Sequence, residues 1–339
     1  MSRFRQNLKR IGRRLDEKFL RPGYLTQISD TIIIEPTNCC NLRCSCCPNG
    51  HGIKPRLRGM MNAGMFDSIL ESIDIPYKKV FLHLHGEPTL NPDLPAIARK
   101  LSDRGKIVNI YSNGVAVTAQ MAEAIVSLPR TSFMFSVDAA SESHYRSIRC
   151  PATLDATLSN LDLMNEVMER HKTPMRISVI APANNPELLE PMCEMLFKRY
   201  SRLTSINISS RFPWPRLPQT GDIEGHLRSA KRRTCREISR NPVITWNGDV
   251  TMCSYDFSGE MIIGSLLDQP MSRLINSTRA RAIRNLHNHK RLNETEPCAN
   301  CLLDRFMPLI ADIKRRSFLN ASAEERSQMF EPFFIYYQL

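Results

Sequence analysis

"TIIIEPTNCCNLRCSCCPNG", residues 31–50, joins a β-branched run to a loop that places five cysteines, Cys39, Cys40, Cys44, Cys46 and Cys47, within nine positions. The run "TIIIEP" (31–36) predicts a strand, so the loop sits at that strand's C-terminal end. A loop donating three thiolates to one compact centre must curl around it. Only Cys40, Cys44 and Cys47 give three intervening residues followed by two. Three thiolates leave one position open, which for zinc suggests a bound water and for a four-iron cluster an iron free to take a small molecule.

Working outward, five more β-rich runs follow: "KVFLHLH" (79–85), "KIVNIYS" (106–112), "SFMFSVD" (132–138), "MRISVIA" (175–181) and "SINISS" (205–210). Helical patterns at 63–73, 93–104, 118–127, 153–171 and 187–200 separate them. Six β/α units in succession predict an α/β fold with a parallel sheet and right-handed crossovers, open or rolled into a barrel. In such folds chemistry gathers at the C-terminal strand ends. The cysteine loop, "HGEP" (85–88), "SNG" (112–114) and "SVDA" (136–139) all fall on that rim.

The embedded triple in "EPTNCCNLRCSCCP" resembles the radical S-adenosylmethionine (SAM) superfamily, whose signature is CxxxCxxC after the first barrel strand. "HGEPTLNPDL", "SNG" and "SVDAASESHYRSIR" (136–149) are similar to later segments of that family, in the same order. The resemblance implies a partial (β/α)6 TIM-like barrel, with a 4Fe–4S cluster on Cys40, Cys44 and Cys47 whose open iron binds SAM. It also implies reductive cleavage of SAM to a 5′-deoxyadenosyl radical that abstracts a substrate hydrogen, with flavodoxin or ferredoxin as electron donor. By position, Gly86, Glu87 and Pro88 shape the methionine pocket, Ser112 and Asn113 the ribose side, and Ser136 with Arg149 the carboxylate side, with Asp138 as an anchor behind them. Three positions depart from the family pattern: Cys46 stands where an aromatic residue is common, His85 replaces the first glycine of GGEP, and Cys150 replaces a glycine.

Beyond "RFPWPRLPQTGD" (211–222), which reads as a linker, the character changes. "VITWNGDVTM" (243–252) predicts a hairpin turning at Asn247-Gly248. A helical pattern near 271–287 leads to "EPCANC" (296–301). Cys235, Cys253, Cys298 and Cys301 are the only cysteines after Cys193. They resemble the ligands of a twitch domain, the shortened SPASM domain, as found in 2-deoxy-scyllo-inosamine dehydrogenase-like enzymes. With no further cysteine in the 38 residues after Cys301, one auxiliary 4Fe–4S cluster is expected, acting as electron acceptor or relay. The same four ligands would serve a structural zinc. The expected domains are a basic amphipathic helix (1–30), the barrel (31–215), the small domain (216–325) and an aromatic tail (326–339).

At 339 residues and 42% hydrophobic, the chain can bury a large core without disulfides. It has no apolar run of membrane-spanning length and no secretory signal, so a cytoplasmic location is expected. The formal charge is +12, of which residues 1–22 supply +6 from eight Lys or Arg against Asp16 and Glu17. That segment reads as a helix over the main domain or as a contact for an anionic surface. Basicity mildly favours an anionic substrate. For substrate chemistry, Phe81, His83 and His85 alternate on one face of strand two, and Arg211, Trp214 and Arg216 follow strand six. His83, His85 and Arg211 are therefore the candidate catalytic residues. The expected reaction is oxidation or rearrangement of a sugar, cyclitol or nucleotide sugar by a dehydrogenase, dehydratase or epimerase; the alternatives are modification of a ribosomally made peptide or, in another class, a zinc-cysteine protein binding nucleic acid.

Overall fold

The computed structural model describes residues 29–180, 188–209, 214–215, 235, 237–239, 241–302 and 310–338, with side chains to 330. Arg211, Arg216, nearly all of the basic N-terminal segment and most of the linker lie outside the described residues.

Six strands run parallel in sequential order: β1 (Thr31–Ile34), β2 (Lys79–Leu82), β3 (Ile107–Ser112), β4 (Thr131–Ser136), β5 (Met175–Ile180) and β6 (Leu203–Ser209). One face of every strand is aliphatic or aromatic, and the register aligns these residues into rows. Ile34, Leu82, Ile110 and Phe133 form one such row, and Phe135, Ile177 and Ile206 another. All seven are fully buried. The helices cover this face. Helix α1 (Ala63–Ser72) starts at an Asn62 cap, and α2 (Leu94–Asp103) buries Leu94, Ile97, Ala98 and Leu101 at helical spacing. Helices α3 (Ala119–Val126), α4 (Glu142–Ile148), α5 (Leu154–Arg170) and α6 (Leu189–Arg199) complete the layer. On the other face of the strands the residues are mostly polar: Asn109, Ser132, Arg176, Ser178 and Asn207. That face is the barrel's lumen.

The sheet does not close on itself. Its β6 edge takes β10 (Ile310–Lys314), antiparallel, and its β1 edge takes the hairpin β7 (Val243–Ile244) and β8 (Asp249–Thr251), followed by β9 (Ile262–Ser265). The ten strands therefore form one sheet that runs across the expected domain boundary at 215/216. Since β1 pairs with β7, the loop after β1 and the end of β8 are two strands apart. Helices α7 (Met271–Leu274) and α8 (Thr278–Asn288) cover this extension, and α9 (Arg315–Asn320) and α10 (Ala323–Gln338) end the chain. Among the described residues no helix is long and apolar enough to cross a membrane.

Candidate functional site

The cysteine loop is pinned from three sides. Thr37 Oγ1 donates to Gly59 O at 2.7 Å and accepts from Cys39 N, while Glu87 N donates to Cys39 O at 2.8 Å. Asn113 Nδ2 donates to Asn41 Oδ1, and the far end is held by Arg43 N on Cys150 O and Ser45 N on Ile148 O. The approach of "HGEP" needs a glycine: a Cβ on Gly86 would lie 2.2 Å from Thr37 O.

Within this loop, burial pushes the thiols of Cys40, Cys44 and Cys47 up to about 11, 12 and 11. Cys40 also responds to the charge of Cys47, and Cys44 to those of Cys47 and Cys40, so the three lie close together. Two neighbours oppose that rise. Leu42 N points at Cys40 Sγ at 3.5 Å, and Arg149 Nη1 stands 3.8 Å from Cys44 Sγ. Among the described residues no three His, Cys, Asp or Glu side chains converge on a single-ion site. A cubane does not ask them to, because each thiolate holds a different iron. The donor set fits a 4Fe–4S cluster. Cys39 and Cys46 are half-buried in the same loop.

Glu87 is the rivet of the rim. Its buried carboxylate accepts from Thr89 N (3.0 Å), Thr89 Oγ1 (2.7 Å), Ser112 Oγ (2.8 Å) and Asn113 N (2.7 Å). Burial raises its pKa, and the four donors oppose that rise. The side chain is thus committed inward, tying β2 to β3, and the backbone of Gly86, Glu87 and Pro88 is what remains for a ligand. Ser112 is committed too, since its hydroxyl also accepts from Gly114 N. Opposite them, Asp138 and Arg149 form a buried ion pair at 2.6 Å, and Asp138 Oδ1 accepts from Ile180 N. Ser136 is half-buried on the lumen face, level with Ser178. Glu87→Gln replaces an acceptor with a donor aimed at donors, so we expect a loss of about 2 kcal/mol of stability. A lower urea midpoint together with weaker SAM binding in titration calorimetry is the expected result.

The two candidate histidines part company. His83 faces the lumen, its ring 4.5 Å from that of Tyr111, and burial pushes its pKa down to about 4. His85 is tied into a buried network. Arg56, bidentate on Glu35 at 3.0 and 3.1 Å, donates to His85 Nδ1 at 2.9 Å, and His85 Nε2 donates to Ser254 O at 2.9 Å. Burial pushes this imidazole to about 4 as well, so it is neutral and both ring nitrogens are engaged. Its ring packs on Phe257 and on Trp214, which in turn meets Tyr255. Rather than reaching for substrate, His85 ties the end of β2 to the residue after Cys253.

The second cysteine set gathers beside that contact. Gly248, at φ +85°, turns the hairpin, and Cys253 comes two residues after β8. Asp256 shapes the next loop by accepting from Thr251 Oγ1, Gly259 N, Glu260 N and Met261 N. Burial raises the Cys253 thiol well above its ordinary range, and the charges of Cys301, Cys298 and Cys235 add to that. The charges of the other three thus reach Cys253, and Tyr255 N is directed at its Sγ at 3.4 Å. One neighbour was not picked out from the sequence. His287, fully buried on α8, places Nε2 3.4 Å from Cys298 Sγ. Its only sequence signal is position: it follows Ala280, Ile283 and Arg284 on the buried face of α8.

Family comparison agrees with this geometry. Residues 34–196 match the radical SAM superfamily model, and residues 235–302 match SPASM, an iron–sulfur cluster-binding domain. The chain carries a radical SAM domain followed by a SPASM domain. The former implies a 4Fe–4S cluster and SAM, and SPASM implies auxiliary iron–sulfur clusters. Among curated relatives, the SAM-dependent 2-deoxy-scyllo-inosamine dehydrogenase of Niallia circulans is 20% identical over 82% of this chain and 94% of its own length. The chain spans only 30% of a tungsten-containing aldehyde ferredoxin oxidoreductase cofactor-modifying protein of Pyrococcus furiosus and 48% of the AdoMet-dependent heme synthase of Methanosarcina barkeri. Among solved structures, BtrN in complex with AdoMet and 2-DOIA aligns at TM-score 0.51 and 17% identity, covering 81% of this chain and 93% of BtrN. Streptococcus suis SuiB bound to the precursor peptide SuiA aligns at 0.64 and 14%, covering 88% and 74%. These likenesses establish the partial TIM-like barrel fold.

Proposed function

We propose that this radical SAM enzyme oxidises a sugar or cyclitol by removing two hydrogens, with one auxiliary 4Fe–4S cluster on Cys235, Cys253, Cys298 and Cys301 as electron acceptor. The observation that carries the reading is the joining of both cysteine sets through one sheet and one buried contact, β1–β7–β8 and His85–Ser254. When bound, the two clusters supply one-electron chemistry: reductive cleavage of SAM at the first and acceptance of the second electron at the other. The protein's own part is to orient and to exclude water. The Gly86–Pro88 backbone and the Ser112, Asn113, Ser136 and Arg149 positions border the SAM side, with Glu87 and Asp138 holding them in place. Neutral His83 offers a ring nitrogen to a substrate hydroxyl on the lumen side. The 94% coverage of the Niallia dehydrogenase supports the substrate class, while the likeness to SuiB leaves peptide modification as the outcome to test against.

Anaerobic reconstitution with iron and sulfide should give about eight irons per chain. Dithionite should then cleave SAM, and an aminocyclitol or sugar panel should yield a product lacking two hydrogens. Stoichiometric zinc with no SAM cleavage, or turnover only on a peptide, would overturn the reading.

A further inference from the structure

The lumen carries a polar layer that the SAM-directed residues do not use. On β5, Ile177 and Val179 are fully buried toward the helices, whereas Arg176 and Ser178 are half-buried on the lumen side. The register sets Arg176 beside Met134 of β4, Met134 beside Tyr111 of β3, and His83 follows the Leu82–Ile110 pair. His83, Tyr111 and Arg176 thus share one layer. Ser136 and Ser178 pair two residues nearer the rim, about 7 Å higher.

Arg176 is held by uncharged groups. Its Nη2 donates to Asn109 Oδ1 at 2.6 Å and to Ser132 Oγ at 2.8 Å, and Ser132 Oγ itself donates to Asn109 Oδ1 at 3.0 Å. These contacts fix the guanidinium without cancelling its charge. Among the described residues no carboxylate pairs with Arg176, and Asp312, level with Ser178 on the far side of β6, pairs with Lys314. A positive charge half-withdrawn from water and left with neutral partners favours an incoming anion. Beside it, Tyr111 Oη makes no hydrogen bond among the described residues, and burial keeps that phenol protonated. The rings of Phe81 and His83 lie 5.6 and 4.5 Å from that of Tyr111, forming a wall suited to a sugar or cyclitol ring.

We propose that Arg176, with Tyr111 and His83, is a substrate-anchoring subsite on the lumen floor: the guanidinium takes a carboxylate or phosphate of the substrate, and the aromatic wall covers its ring. Anchoring the charged end here turns the far end of the ring toward the rim where the SAM-side residues gather. The ring part rests on the sugar or cyclitol reading; the anion part stands without it.

The test is calorimetric titration of the full-length, reconstituted, SAM-loaded enzyme with glucose, glucuronate, glucose 6-phosphate, acetate and orthophosphate. Glucuronate or glucose 6-phosphate is expected to bind at least tenfold more tightly than glucose, and whichever does so identifies the anion. Arg176→Gln should erase the preference and Arg176→Lys retain part of it, with iron content and thermal midpoint reporting on the fold. If Arg176→Gln does not fold, protection of wild-type Arg176 from phenylglyoxal by the charged sugar, read by peptide mass, decides the matter. Equal binding of charged and neutral sugars, no binding of any charged probe, or a preference that survives Arg176→Gln overturns the subsite. Arg176-dependent orthophosphate binding as tight as that of glucose 6-phosphate supports the anion site and overturns the sugar reading.

Discussion

Cys40→Ser, Cys44→Ser and Cys47→Ser are each expected to lose about four of about eight irons and to abolish SAM cleavage, while Cys39→Ser and Cys46→Ser keep both. The reason lies in ligand chemistry and position. These three thiols are the ones that burial, the Leu42 amide and the Arg149 guanidinium surround, and a serine hydroxyl ionises far less readily than a thiol. Losing a direct ligand should exceed the 10- to 100-fold cost typical of outer-shell changes. The auxiliary set must survive in these variants, because Cys235, Cys253, Cys298 and Cys301 belong to a different loop cluster. Iron and sulfide analysis with a dithionite cleavage assay checks it. Retention of all irons in Cys44→Ser, or loss of the first cluster in Cys46→Ser, would show that the ligands are assigned wrongly.

The alternation of β-rich and helical runs placed all six barrel strands to within a few residues, because each strand buries one full face and each helix one stripe. The cysteine spacing and the rim motifs were legible for the same reason: both are local. What the sequence could not show depends on distant pairing. Strand two reads as 79–85, yet the ladder ends at Leu82, and His85 meets Ser254 across 169 positions. The β1–β7 pairing that merges the hairpin with the barrel is two residues long on the β7 side. His287 and Arg176 look like ordinary helix and strand residues until Cys298 and Asn109 are brought beside them. Helix α4 lies inside the segment read from the sequence only as a rim motif.

Glu35→Leu is expected to lower the thermal midpoint by about 5–10 °C, the equivalent of the roughly 3–5 kcal/mol that breaking a buried ion pair costs. Glu35 is fully buried and accepts from Arg56 through both oxygens, from His85 N and from Trp246 N. Its removal strands the Arg56 guanidinium, which is only 8% exposed, beside a neutral imidazole that cannot replace the charge. Arg56 N also donates to Phe257 O, so the disturbance reaches the loop behind Cys253. The double variant Glu35→Leu/Arg56→Met removes both charges and should recover most of the midpoint, since a well-packed apolar pair can match a buried ion pair in stability. Recovery of stability need not bring back function. If the network serves to set the second cysteine group against the barrel, the double variant will cleave SAM yet release less oxidised product per SAM consumed. A normal product ratio in the recovered double variant would assign the network to stability alone, and His85–Ser254 would then be the contact that holds the two cysteine sets in register.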